Sequence, residues 1–456
     1  MHDLALVGFL LAMLGMGVRR PFLFILTYVY IDNVSPQRLS YYLLNSVPVS
    51  LICVSLAVFS WLIFDDKRDT RIAPRQFLLL LLLVYCGITT SQADFPVQAL
   101  AKWDWVWKAL AFAIFLPLTL RTRLRIEALA LFMVLSAASI IITGGIKTLL
   151  SGGGYGALNL MVTNNSGLYE SSIISTVAIA IIPVILALRK HGTLFPASWP
   201  ANLFATALIF ACLLMPIGTQ ARTGLICIGV LALLLLRHAR RRMLYVALAG
   251  AALLVAIPFL PSGFTDRMGT IANYKADESA SSRLAVWAWT WEFAADHPFG
   301  GGFDAYRQNT LRIELTQTDT GGPAHEIDTS VTTDAARAYH SSYFEMLGEQ
   351  GWPGLILWML IHFTGLVRME LLFRRYRKDG AKEWIAALAL ALQQAHAIYL
   401  AGSLFVGIAF QPFVYMLVGL QIGLDTYARR REAEADWRPF RKAHGQVPSH
   451  TLARGE

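Results

Sequence analysis

The chain has 456 residues, of which 55% are hydrophobic and only 15% charged, whereas a soluble domain carries about 25% charge. A soluble core cannot hide that much apolar sequence, so the composition excludes an ordinary soluble protein and points to a bilayer. The formal net charge of +9 would suit nucleic acid, but its placement, described below, excludes that reading.

The N-terminus holds two short apolar runs, 4–18 and 21–31, divided by Arg19, Arg20 and Pro21. No small-residue cleavage site follows the first run, and more hydrophobic sequence comes at once, so it does not read as a cleaved signal peptide. Further spans are expected at 43–64, 76–92, 104–120, 125–143, 170–188, 202–216, 223–236, 242–260, 353–372, 384–402 and 404–424. We therefore expect about twelve transmembrane helices, give or take one.

Basic residues collect in alternate short loops: Lys67, Arg68, Arg71 and Arg75, then Arg121, Arg123 and Arg125, then Arg189 and Lys190. Arg237 to Arg242, Arg374 to Lys378 and the tail residues Arg429, Arg430 and Arg431 continue the series. This is the positive-inside pattern, which puts those loops and the C-terminus in the cytoplasm and residues 261–352 outside. The expected divisions are a transmembrane bundle at 1–260, an outer loop at 261–352, further spans at 353–427 and a basic tail at 428–456. Cys53, Cys86, Cys212 and Cys227 all fall within spans. They are read as packing residues without zinc spacing. Ionisable residues deep in the spans are few, and no inverted pair of broken spans is visible, which weakens a transporter or flippase reading.

The outer loop carries its own structure. Residues 281–295 place Leu284, Trp287, Trp291 and Ala294 on one helical face, with Ser281 or Ser282 as cap. That helix ends near His297 and Pro298, before Gly300, Gly301 and Gly302. Residues 316–335, rich in Thr, Asp and Gly, read as flexible. A second short helix is expected from Arg337 to Gln350, broken at Gly351 to Gly354 before the next span.

Within this loop His340 is the first candidate for chemistry. A histidine at the membrane surface can take a proton from a hydroxyl near neutral pH; the plainer alternative is a surface histidine bonded within the loop. His297, at a helix end, and His325, in the flexible stretch, are rivals. Arg222 stands where the outer loop enters the span 223–236. A helix N-terminus disfavours a cation but attracts an anion, so Arg222 needs a phosphate or a glutamate beside it. Arg283 and Arg307 can bind phosphate through their planar forks, or reach headgroups, or pair with Asp296 or Asp304. Lys147 and the glycine run Ser151 to Gly156 read as a linker or a close approach to ligand. No carboxylate–histidine cluster has metal-ligand spacing, and no cofactor motif stands out. Together these residues suit the holding of a diphosphate near a lipid surface while a base works beside it.

At these residues the chain resembles the O-antigen ligase family, which includes O-antigen polymerases and bacterial protein O-oligosaccharyltransferases. The resemblance rests on Gln220-Ala221-Arg222-Thr223-Gly224, on Ser282-Arg283 with Trp287 and His297-Pro298-Phe299-Gly300-Gly301-Gly302, and on His340-Ser341-Ser342-Tyr343 with Leu347, Glu349, Gly351 and Gly354. The N-terminal half is similar to ligases associated with exosortase systems, through Arg20-Pro21-Phe22, Ser35 to Leu39, Lys102-Trp103-Asp104 and Gly144 to Lys147. After Asn164-Asn165 the chain departs from that pattern, with Ser-Gly-Leu-Tyr-Glu in place of an apolar run.

The resemblance implies an all-α, multi-pass bacterial inner-membrane protein of the family C glycosyltransferase type, with a partly helical periplasmic loop. It implies an inverting, metal-independent enzyme without cofactor. Its donor would be a glycan on undecaprenyl diphosphate and its acceptor a sugar hydroxyl of lipid A–core. His340 would activate that hydroxyl, and Arg222 and Arg283, with Arg307 as a third, would bind the diphosphate. Transfer to protein or to a growing glycan would use the same machinery; a transporter or flippase is the alternative of a different class.

Overall fold

The computed structural model describes all residues except 1, 41, 45–46, 68–69, 71, 153–166, 196–197, 240, 245, 248–249, 252–264, 266–277, 320–325 and 437–456. The described chain is a helical bundle. The two N-terminal runs are separate helices, α1 (His2–Arg19) and α2 (Phe22–Val34), because Pro21 removes an N–H where the first would continue. A four-residue turn, α3 (Pro36–Leu39), leads to α4 (Val49–Phe64), α5 (Pro74–Ser91), α6 (Pro96–Thr119) and α7 (Arg123–Ser151). Next come α8 (Ser171–His191), α9 (Trp199–Gly218) and α10 (Arg222–His238). After the loop helix α11 (Glu278–Asp296) and a hairpin, the bundle closes with α12 (Ser342–Tyr376), α13 (Glu383–Gly402) and α14 (Pro412–Asp436).

Six described helices are long and apolar enough to cross a membrane: Pro74–Ser91, Arg123–Ser151, Ser171–His191, Trp199–Gly218, Ser342–Tyr376 and Gly380–Gly402. Phe22–Val34 and Val49–Phe64 are apolar but shorter. The expectation of twelve counts further, shorter or more polar helices and the stretch 242–260, most of which lies outside the described residues. α8 is deeply enclosed in the bundle. Residues Ile173 to Ile185 along it are buried on every side, as befits a helix that is hydrophobic all round.

Two expectations need correction. Residues 316–319 and 326–335, expected to be flexible, are strand: β1 (Thr310–Asp319) and β2 (Glu326–Ala335) pair antiparallel in register from Thr310↔Ala335 to Asp319↔Glu326, and residues 320–325 lie outside the described residues. Leu311, Ile313 and Leu315 alternate along β1, and β2 is dense in Thr, Val and Ile, residues that favour strands. The charged residues between them obscured that alternation. The bundle interior is also more polar than expected. Arg75, read as a topology signal, is buried and donates to Gln421 Oε1 at 3.0 Å and to the carbonyl of Ile361 at 3.3 Å. Gln421 Nε2 lies 3.0 Å from His396 Nδ1, and His396 Nε2 lies 2.7 Å from His362 Nδ1. These contacts bind α5, α12, α13 and α14 together.

Candidate functional site

The site is built at the end of the bundle where α8, α10 and α12 begin and α13 ends. α9 passes to α10 in a tight turn, with Gln220 at φ 54 and Ala221 N–H donating to Pro216 O at 3.1 Å. Arg222 opens α10; Ala221 before it has no side chain able to cap the helix. Two residues on, Gly224 lets α10 press on α8, since a Cβ there would stand 3.0 Å from Ser175 Cβ and 2.6 Å from Pro216 Cγ. Ser175 and Thr219 hydroxyls meet at 2.8 Å in the same contact. Half-buried Arg222 is therefore anchored against the first turns of α8.

α8 begins with Glu170 as its cap, accepting from Ile173 N–H at 2.7 Å. Burial pushes the Glu170 carboxyl above its usual range, while hydrogen bonds from Ser172 and Ile173 and the charge of Arg283 pull it back. Glu170 belongs to the Ser166-to-Glu170 segment that departs from the expected pattern. It brings a carboxylate into the field of Arg283.

Arg283 lies on α11. The periodicity of that helix was read correctly, but the buried face is displaced from the expected one. Ser282, Val286, Thr290, Phe293 and Ala294 are buried, whereas Leu284 and Trp291 are exposed. Trp287 is the anchor: its ring stacks on Phe344 at 5.0 Å and 6°, and its Nε1–H donates to Tyr339 O at 2.9 Å. Arg283, one turn earlier, is thus carried to the entrance of α12.

His340 is not on a helix, as expected, but in the turn before one. Its φ is 49°, in the left-handed region that non-glycine residues rarely adopt. Strain of this kind gathers at functional positions. The helix starts at Ser342, whose N–H donates to Ser403 O at 2.8 Å and whose hydroxyl bridges Val406 O and Ile408 N–H. The ring of His340 reaches solvent, yet protein crowds round it. That crowding, then the charges of Arg283 and Arg337, lower its basicity from the usual 6.5 to about 4. The imidazole is accordingly neutral at physiological pH, the form that can accept a proton.

The structure thus joins His340, Arg283 and Glu170 electrostatically and places Arg222 on the helix packed beside Glu170. Arg307 is engaged locally, pairing with Asp304 at 3.3 Å and resting on Tyr306 at 5.6 Å. His297 ends α11, stacked on Phe293 at 4.2 Å with Nδ1 3.3 Å from Phe293 O. His325 and Gly153 to Gly156 lie outside the described residues.

The glycine run after His297 is a structural joint. Gly301 and Gly302 N–H groups donate to the carbonyls of Gly348 and Glu349 at 3.0 and 2.9 Å, and Trp352 N–H returns to Pro298 O at 3.0 Å. Gly300, Gly302 and Gly351 all have positive φ. A Cβ on Gly300 would meet Glu349 O at 2.5 Å, and one on Gly351 would meet Pro298 O at 2.2 Å. The two glycine-containing stretches of sequence are therefore one backbone-to-backbone contact.

Sequence reasoning missed the charges beneath that joint. Glu345 and Glu349 stand one turn apart near the start of α12. They are buried, and Lys102 Nζ bridges them, 2.7 Å from Glu345 Oε1 and 2.8 and 2.9 Å from the Glu349 oxygens. The signal was available: two carboxylates at i and i+4 entering a span need a cation, and Lys102 enters a neighbouring one. Arg337, ion-paired with Asp334, was likewise not singled out as a neighbour of His340.

A many-helix membrane protein with basic residues and a histidine gathered at its helix ends is the class that fold and site define. Residues 205–359, which contain Arg222, Arg283, Arg307 and His340, match the family described as O-Antigen ligase. Residues 1–193 match a family of unknown function (DUF5935). No curated protein matches the chain. Over the first of these segments the chain is similar to the O-antigen ligase family, whose members are glycosyltransferase-like enzymes of ligase or polymerase type.

Proposed function

We propose that the protein is an O-antigen ligase of the bacterial inner membrane, with its site on the periplasmic face and its C-terminus in the cytoplasm. It transfers a glycan from undecaprenyl diphosphate to a sugar hydroxyl of lipid A–core. The observation that carries this reading is the left-handed turn that sets His340 at the entrance of α12, where crowding and the charges of Arg283 and Arg337 keep its imidazole neutral.

In this scheme the acceptor hydroxyl gives its proton to His340 as its oxygen attacks the anomeric carbon of the donor sugar. The bond from that carbon to the diphosphate oxygen breaks, the configuration inverts, and the electron pair leaves with the lipid diphosphate. Arg222 and Arg283 stabilise the charge that grows there. The uncapped first turn of α10 adds backbone N–H donors beside Arg222. Arg307 joins as a third cation by exchanging Asp304 for phosphate. An approaching diphosphate also offsets the positive field on His340, so the base strengthens as the donor binds.

The test is transfer in vitro with purified lipid-linked glycan and lipid A–core. The wild type is expected to form the conjugate, and His340→Ala, at a solvent-exposed position, to fold normally and transfer nothing. Near-normal turnover by His340→Ala would overturn the mechanism. Product only on protein hydroxyls, or only as lengthened lipid-linked glycan, would reassign the acceptor.

A further inference from the structure

The buried charges beneath the glycine joint have no part in the scheme above. Lys102, Glu345 and Glu349 retain 14%, 9% and 0% of their side-chain exposure. Their remaining oxygens reach into two other segments. Glu349 Oε1 accepts from Asp304 N–H at 3.0 Å, just after the glycine run, and Glu345 Oε2 accepts from Ala409 N–H at 3.1 Å, in the turn between α13 and α14. Lys102 Nζ itself lies 5.5 Å from the Phe303 ring and 6.0 Å from that of Phe410.

We propose that Lys102, with Glu345 and Glu349, positions His340: the cation on α6 locks the first three turns of α12 in place, and those turns hold the turn that presents the imidazole. This rests on the reading of His340 as the acceptor's base.

Three observations connect lock and histidine. First, Gly351, at φ 63° and ψ −167°, interrupts α12, so the segment Ser342 to Gln350 is not aimed by the membrane-spanning remainder. Its direction comes from its own contacts, of which the Lys102 bridge is the charged one. Second, Tyr339 is seated on the same face. A Cβ on Gly348 would stand 2.4 Å from the Tyr339 hydroxyl, and Trp287 holds the Tyr339 carbonyl. Third, His340 follows Tyr339 directly, in a left-handed conformation that no smooth slide of the chain preserves. Without the ammonium, two buried carboxylates on adjacent helical turns repel or take up protons. Either response moves the segment and, with it, the imidazole.

Full-length protein in detergent, with the lipid-diphosphate glycan as donor, provides the test. Lys102→Met is expected to lower kcat about 100-fold, with donor KM changed by less than about three-fold, as for a base displaced by about 1 Å. Glu349→Gln keeps an acceptor for Asp304 N–H and guards against simple unfolding; it should lose roughly ten-fold, and Lys102→Arg should restore part of the Lys102→Met loss. The acid limb of the kcat/KM profile separates positioning from mere stability. It should rise in both neutral variants as the imidazole leaves Arg283 and Arg337, the cations that face it. A fall in the amount of folded enzyme alone leaves that limb where it was. Wild-type kcat per folded molecule with an unmoved limb would overturn the proposal while His340→Ala stays inactive. Normal transfer by His340→Ala would instead overturn the function on which it rests.

Discussion

Gly351→Ala is the substitution by which the joint between the loop and α12 can be tested most directly. The residue sits at φ 63° and ψ −167°, a conformation essentially reserved for glycine, and forcing a side chain to adopt it costs about 1–3 kcal/mol. The added Cβ would also stand 2.2 Å from Pro298 O, 2.4 Å from Phe299 C and 2.5 Å from Gly300 N. All three are backbone atoms, and none can turn aside as a flexible side chain would. Overpacking of that kind adds roughly 1–3 kcal/mol, so a total near 3 kcal/mol is expected, unless the glycine run lifts off and its bonds to Gly348 and Glu349 are lost. Gly380→Ala is the control, because a Cβ there meets nothing within 4 Å. The assay is thermal loss of the monodisperse peak in detergent, run beside glycan transfer. We expect Gly351→Ala to melt well below the wild type and to lose transfer, and Gly380→Ala to match the wild type in both. Equal melting of Gly351→Ala and wild type would refute the argument that glycine is demanded by contact.

Arg222→Ala should weaken donor use more than acceptor use, and Arg222→Lys should recover only part of it, because lysine lacks the planar fork; steady-state kinetics with each substrate varied will show a loss of acceptor affinity alone if the diphosphate assignment is wrong. His340 is neutral down to about pH 4, so the acid limb of free-enzyme kcat/KM should lie well below that of an ordinary histidine. Removing a cation eases protonation, so Arg337→Gln should move that limb upward; a downward or absent shift counts against His340 as the base. Transfer should continue in excess EDTA at a rate within a few-fold of the untreated enzyme, since arginines compensate the diphosphate; activity lost to the chelator and restored by magnesium or manganese would contradict this.

Much of the architecture was legible because its signal is local. Runs of apolar residues located α4 to α9, although α6 starts well before its apolar run and α7 continues well past its own, and Pro21 divided α1 from α2. The hairpin was not legible, since Asp, Glu and Thr dilute the alternation and backbone pairing binds its strands whatever their charge. On α11 the period was correct, but Leu284 and Trp291 of the expected face are exposed, while Ser282, Val286 and Thr290 pack inward with Ala294. The site divides in the same way. Arg222 at a span entrance, His340 ahead of one and Arg283 on the loop helix stood out in the sequence as polar candidates. Lys102 and Glu349 did not, because they are 247 positions apart in sequence and only the fold makes them partners. The glycines of the loop were visible as a motif, but their purpose was not. It lies in a second set of glycines some fifty residues on.

The chain of polar groups inside the bundle has a direction. Arg75 can only donate, so the amide oxygen of Gln421 must face it and the amide nitrogen must face His396. His396 Nδ1 therefore carries no hydrogen, its proton sits on Nε2, and that proton points at His362 Nδ1. Each tautomer follows from the one before, and the sequence begins at a guanidinium that does not give up its proton. A wire for protons needs every link to take as well as to give. This one starts with a link that only gives, so its bonds keep one order, and that order fastens four helices to one another.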